Sequence, residues 1–163
     1  MALPCFFYAS FLLELTNQVV RENDDREILD LLKDTLIKME EGLSPIALTD
    51  ILELKLLDYL GVRPSIDCCS VCGSDKQIVT IDSMHGGYLC RNCYHNEILV
   101  SDKAIKLIRM FYYVDIASIS KLEIKDSVVL EINQFLDDYY DRYTGIYLKS
   151  KDFIRQLNKL TGA

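Results

Sequence analysis

The chain has 163 residues, half of them apolar, with 18 Lys and Arg against 25 Asp and Glu for a net charge of −7. This size fits one domain with at most a small appendage, and only 7 Gly and 3 Pro exclude a disordered or collagenous chain. Residues 1–62 hold 5 basic and 12 acidic residues, so the excess of acid sits in the first third and argues against an extended face for phosphates.

From Ala2 to about Glu22, the residues Phe7, Phe11, Leu12, Leu15 and Val19 recur at helical spacing and predict a helix. Its apolar run from Ala2 to Leu13 falls short of the ~20 residues that a membrane span needs, and no basic residue precedes it as in a signal peptide. The expectation is a soluble intracellular protein without a membrane role. Cys5 in this helix reads as a small buried hydrophobe. Asp24 or Asp25 caps a second helix carrying Ile28, Leu29, Leu31, Leu32, Leu36, Ile37 and Met39, and Gly42 stops it. The third helix has Ser44 as its cap, Pro45 at its first position and Gly61 past its end. Its apolar residues leave a narrow polar strip of Asp50, Glu53, Lys55 and Asp58, so it is expected to be central and buried.

From Val62 to Leu99 the texture changes, with five of the six Cys and both His. Here Cys69-x-x-Cys72-Gly73 is followed by Cys90-x-x-Cys93, with 17 residues between Cys72 and Cys90. Paired Cys-x-x-Cys turns present four sulfurs to one tetrahedral ion, while the β-prone Ile78-Val79-Thr80-Ile81 and the Gly86-Gly87 pair fold the intervening chain into a hairpin. Four thiolates close the shell of a structural Zn²⁺, whereas a catalytic zinc keeps a position open. Disulfides fit poorly in a reducing compartment, and one redox Cys-x-x-Cys would not come with a second facing copy. Cys68 in place of Cys69 gives a less favourable spacing. His85 and His95 lack the offset of ligands and read as loop histidines, and Lys76 and Arg91 offset the charge of the thiolates.

Helical texture resumes with Ser101 capping a helix of Ala104, Ile105, Leu107, Ile108 and Phe111. Residues 115–126 are ambiguous between loop and short helix. Ser127 is expected to cap a helix that stops at Gly145, and the last helix is expected after Ser150. The pairs Asp24-Asp25, Glu40-Glu41 and Asp137-Asp138 read as solvated faces or caps, and no phosphate loop, nucleophile elbow or metal-binding His-Glu helix is present, so no enzyme is expected. Tyr139, Tyr140, Tyr143 and Tyr147 run beside Arg142, Lys149, Lys151 and Arg155. Such a run can stack bases, but its helical spacing favours core packing with a basic rim. That rim could also receive an acidic peptide or a terminal carboxylate.

The stretch Leu52-Glu53-Leu54-Lys55-Leu56-Leu57-Asp58-Tyr59-Leu60-Gly61, the run from Pro64 to Gly73 containing Asp67-x-Cys69-x-x-Cys72, the segment Gly86-Gly87-Tyr88-Leu89-Cys90 and the late Leu148-Lys149-Ser150-Lys151-Asp152-Phe153 together resemble the C-terminal part of the bacterial RecO family of DNA repair proteins. The resemblance implies a mainly α fold: a helical domain in two parts, residues 1–65 and 99–163, with a four-cysteine zinc ribbon-like insertion at 66–98 holding one structural Zn²⁺ on Cys69, Cys72, Cys90 and Cys93. It implies a recombination mediator of the bacterial cytoplasm and nucleoid. Such a mediator acts with RecR, and with RecF in one pathway, to place RecA on single strands coated by the single-stranded DNA-binding protein, and it anneals strands. The family's N-terminal OB-fold, its main DNA-binding part, has no counterpart in this sequence. The helical part is expected to capture the acidic, aromatic-ended tail of the single-stranded DNA-binding protein, with Arg142, Lys149, Lys151 or Arg155 supplying the cation. The alternatives are a zinc ribbon protein that binds nucleic acid directly and, more weakly, a thiol redox protein.

Overall fold

The computed structural model describes residues 3–161, apart from the side chain of Thr161. Six helices run along them: α1 (Leu3–Glu22), α2 (Arg26–Glu40), α3 (Pro45–Tyr59), α4 (Asp102–Tyr113), α5 (Asp126–Tyr143) and α6 (Lys149–Thr161). Between α3 and α4 lie two short strands, β1 (Ile78–Asp82) and β2 (Gly87–Cys90). The protein is mainly helical, with this small two-stranded sheet inserted. Ala2, the predicted start of the first helix, lies outside the described residues.

Helix α3 is the axis of the body. Leu48, Ile51, Leu52, Leu54, Leu56 and Leu57 are all fully buried, because α3 is enclosed by α1, α2, α4 and α5 and has no solvent face along most of its length. The punctuation read from the sequence operates as expected at its start, where the Ser44 hydroxyl accepts from the Ala47 N–H at 3.4 Å and Pro45 occupies the first turn. At its end Gly61 takes the left-handed conformation, φ 72°, that lets the chain turn away. Of the two candidate caps for α2 it is Asp25 that accepts, from the Glu27 N–H at 2.9 Å.

Two predicted starts move. Helix α5 begins at Asp126 with Lys125 before it and no side-chain cap, so Ser127 lies inside the first turn and the Asp126 carboxylate supplies the negative charge that a helix N-terminus favours. Helix α6 begins at Lys149, and the Ser150 hydroxyl reaches across to Glu14 of α1 instead of capping its own helix. The ambiguous stretch 115–126 contains one short 3-10 turn, Ile116–Ser118, that buries Ile116.

The tyrosines of α5 tie the parts together. Tyr139 donates to the Val62 carbonyl at 2.9 Å, Tyr140 to that of Glu53 at 2.6 Å and Tyr143 to that of Ser83 at 2.7 Å. Their rings are spent on packing and their hydroxyls on backbone acceptors, which is how a buried tyrosine satisfies its polar end. Tyr147 stands apart, 70% exposed. Among the described residues no helix is long and apolar enough to cross a membrane.

Candidate metal centre

The strands β1 and β2 pair antiparallel, with Ile81 opposite Tyr88 and a bulge between Ile78 and Thr80, and this hairpin carries one side of the cysteine cluster. Each Cys-x-x-Cys forms a tight knuckle. In the first, the Gly73 N–H bonds the Cys69 carbonyl at 2.9 Å and the Cys69 N–H bonds the Ser74 carbonyl at 2.7 Å; in the second, the Cys93 and Tyr94 N–H groups both reach the Cys90 carbonyl. Gly73 holds φ 77°, a conformation that costs glycine nothing.

The two knuckles bring the sulfurs of Cys69, Cys72, Cys90 and Cys93 within 4.8 Å of one another, with Cys72 and Cys90 at 3.6 Å. Four ligands at the ~2.3 Å of a zinc–sulfur bond define a tetrahedron whose edges are about 3.8 Å, so the spacing fits one tetrahedral, thiophilic ion. The charge balance points the same way. Burial works against ionisation of Cys69, but backbone N–H groups at Cys72, Cys90 and Val71 outweigh it and hold that thiol down at about 6. Desolvation and the neighbouring sulfurs push Cys93 up to about 12. Four sulfurs this close become thiolates together only around a cation, which is what a metal supplies. Cys68 takes no part: its sulfur faces the Ser65 hydroxyl at 3.7 Å.

The module has almost no core of its own. Cys69, Leu89 and Cys90 are its buried apolar cluster, flanked by Ile78 and Cys93. Besides the bond from Tyr143 to Ser83, it is held to the helical body at three places. Ser65 pairs with Gly87, its N–H bonding the Gly86 carbonyl at 2.9 Å and its carbonyl accepting from Tyr88 N–H at 2.8 Å. A Cβ on Gly87 would stand 2.2 Å from the Ser65 oxygen, so only glycine permits this approach. The Tyr88 hydroxyl bonds the Ile105 carbonyl of α4. At the surface, Asp67 accepts from Arg63 at 2.9 Å, from Arg109 at 2.9 Å and from Tyr113 at 2.7 Å, while the Arg63 guanidinium stacks 4.2 Å above the Tyr112 ring. The Tyr113 hydroxyl, with Arg109 and Arg63, holds the Asp67 carboxyl below its usual range.

Residues 5–152, which carry this four-sulfur centre on its helical body, match the family described as Recombination protein O C terminal. The chain belongs to the RecO C-terminal family. Relatives include the DNA repair protein RecO of Bacillus cereus strain AH187 and that of Bacillus anthracis, each 37% identical over 156 residues, covering 93% of this chain and 63% of the relative. The RecO of Bacillus cereus strain B4264 is 36% identical over the same length. The chain therefore spans less than two thirds of the RecO proteins it matches.

The four basic residues expected to serve a partner do not form one open cluster in this RecO domain. Arg142 and Lys149 are exposed. Lys151 is turned inward, its side chain 13% exposed, with its Nζ at 2.6 Å from Glu53 and 2.8 Å from Asp137. Arg155 is bound to Asp137 and Asp141, both at 3.1 Å. Asp137, read from the sequence as part of a solvated pair, is thus the joint of an internal ionic network. Two of the four residues of the α3 polar strip share this fate, while Lys55 is half-buried and Asp58 exposed. Asp50 and Glu53 are 0% and 1% exposed, and Asp50 receives a hydrogen bond from Asn133 of α5 at 2.9 Å. Burial, with the nearby Glu53 charge, raises the Asp50 carboxyl well above its usual value, and burial also raises Glu53 in spite of Lys151. One sequence signal marks this centre: two acids three residues apart inside a run of leucines, where carboxylates occur only if another element brings a partner.

Proposed function

We propose that this chain is the partner-binding, non-catalytic part of a RecO-type recombination mediator of the bacterial cytoplasm. It helps place RecA on single strands coated by the single-stranded DNA-binding protein, acting with RecR, and meets DNA chiefly through another part of the full protein. The observation that carries the reading is the family match across residues 5–152 on a chain that holds a closed four-cysteine centre. Such a centre has no open position for a substrate and serves to fix a shape. We assign its ion as Zn²⁺, held by Cys69, Cys72, Cys90 and Cys93, because an all-thiolate tetrahedron suits zinc and magnesium or calcium prefer oxygen ligands. Zinc bound there would supply folding energy and no chemistry of its own.

The acidic tail of the single-stranded DNA-binding protein needs an apolar slot for its terminal ring and a cation for its carboxylate. The region of Lys151 and Arg155 suits it poorly, because Glu53, Asp137, Asp141 and Asp152 surround those cations. The groove between α1 and α2 suits it better. It is about 520 Å³, lined by Phe6, Leu13, Leu29 and Ile37, which are 42–57% exposed, and Lys33 stands at its side. In fluorescence anisotropy with a labelled tail peptide, Lys33→Glu combined with Leu29→Asp is expected to abolish binding, and Arg142→Glu combined with Lys149→Glu to leave it within twofold. The opposite pattern moves the tail to the C-terminal rim. Undiminished binding in both variants excludes both surfaces, and no binding by the unaltered chain removes the tail from this domain. Salt-dependent binding of single-stranded DNA to this chain alone would instead support direct nucleic-acid recognition.

A further inference from the structure

The ionic centre beneath α6 leaves two buried polar atoms of α3 without a partner. Glu53 is 1% exposed, and Thr49, one helical turn before it on the same face, is 2% exposed. The Oε2 atom of Glu53 and the hydroxyl of Thr49 both lack a hydrogen-bond partner within the protein. Native interiors seldom leave such atoms unsatisfied.

The neighbouring side chains are committed elsewhere. The Lys151 ammonium points at the other oxygen of Glu53, 2.6 Å away, and at Asp137, 2.8 Å away, while the Tyr140 ring covers it at 4.9 Å. Arg155 is bound to Asp137 and Asp141, and the Asn133 amide donates to Asp50. Thr49 also forgoes the local bond open to a helical threonine. Thr35 of α2 donates to the Leu31 carbonyl one turn back at 2.7 Å, and Thr49 makes no such bond.

Thr49 and Glu53 line one cavity of about 20 Å³ under α6, with Asp137 of α5 and Lys151 and Ile154 of α6 on its other walls. One water needs roughly 10–15 Å³ and two to four polar partners. The donors and acceptors also balance: the Thr49 hydroxyl has a proton to give, Glu53 Oε2 has a lone pair to fill, and one water accepts the first and donates to the second. A second cation fits poorly, because the Lys151 ammonium already stands on the wall and would repel it. Anything larger than water is excluded by size.

We propose that this cavity is a binding site for a single water molecule, held between Thr49 Oγ1 and Glu53 Oε2 with the Asp137 carboxylate beside it. The water completes the ionic centre. It gives the second oxygen of Glu53 the hydrogen bond that no side chain supplies, and it links α3 to the underside of α6.

A crystal structure of the full chain grown in a thallium(I) salt separates the candidate occupants. The expected result is a density peak within about 3.2 Å of both Thr49 Oγ1 and Glu53 Oε2 that carries no anomalous signal. An anomalous peak there would make the cavity a monovalent-cation site and overturn the proposal. A bond from the Thr49 hydroxyl directly to Glu53 or to the Pro45 carbonyl, with no peak between, would equally overturn it. Urea unfolding gives a second reading. Thr49→Val keeps the shape and removes the hydroxyl, so the folding equilibrium constant is expected to fall about fivefold, the net worth of roughly one hydrogen bond. Thr16→Val alters an equally buried, unpartnered hydroxyl of α1 that is not on this cavity, and is expected to leave the constant unchanged or raise it. Equal stability of the two variants would mean that Thr49 holds nothing in the cavity, against the proposal.

Discussion

The molecule holds two charged centres that differ in how they are assembled. The cysteine centre gathers Cys69, Cys72, Cys90 and Cys93 from within 25 residues, using two knuckles and one hairpin. The ionic centre joins Glu53 to Lys151 across 98 positions and needs α1, α3, α5 and α6 all in place. The first is local geometry suited to one ion; the second is long-range packing that requires a complete body to keep its charges. The module with almost no core has four sulfurs placed to hold a metal ion, and the body with a large core tolerates buried carboxylates because neighbouring helices bring their partners.

That contrast sets the order of expected effects. Replacing Cys69 with serine is expected to be the most damaging change to the module. Structural zinc sites supply folding energy on the order of 10 kcal/mol, so elemental analysis should give less than one ion per chain and amides across 69–93 should lose protection while the helical circular dichroism persists. Helical signal falling in proportion would erase the distinction between the two regions.

In the body, Lys151→Met leaves Glu53 and Asp137 without their shared cation, and a one-sided break of a buried pair costs about 3–5 kcal/mol. The double change Glu53→Gln with Lys151→Met should cost much less than Lys151→Met alone in urea unfolding. Equal costs would mean that the ion pair is incidental to the packing there.

Gly87→Ala probes the seam between the regions. Its new methyl group meets the Ser65 backbone, and forced overpacking of this kind costs about 1–3 kcal/mol. The expected signature is loss of protection at Ser65 and Tyr88 with metal stoichiometry kept at one.

The smallest effect is a slope with pH. The Asp50 carboxyl has a higher pKa folded than unfolded, so above the ordinary value of 3.8 the folded chain holds a proton that the unfolded chain has released. Stability therefore falls as pH rises above that ordinary value towards the raised folded one, by at most about 1.4 kcal/mol per unit for one such group. Asp50→Asn is expected to flatten that slope and stabilise the protein at pH 7. A slope that is unchanged would assign it to Glu53, which is raised in the same direction.

How far the sequence could be read follows the same division. The spacing of the cysteines, Gly73 and Gly86-Gly87 placed the centre and its hairpin, because every bond involved spans few residues. The caps at Ser44 and Ser101 were legible for the same reason: the Ser101 hydroxyl accepts from the Ala104 N–H at 3.2 Å, three residues on. Ser127 and Ser150 misled, since a serine at a suitable position caps only if the helix begins there, and α5 and α6 begin one residue earlier, at Asp126 and Lys149.

The sequence by itself determined the metal-type cluster, the order of the helices and the burial of α3, all of which follow from local spacing and apolar periodicity. Only the tertiary structure decided that Lys151 and Arg155 face inward, that Asp50 and Glu53 lie in the core, and that the open apolar groove is between α1 and α2. The physical reason is that a charge in sequence carries no partner with it: whether a lysine meets water, a ligand or a buried carboxylate depends on which helix packs over it.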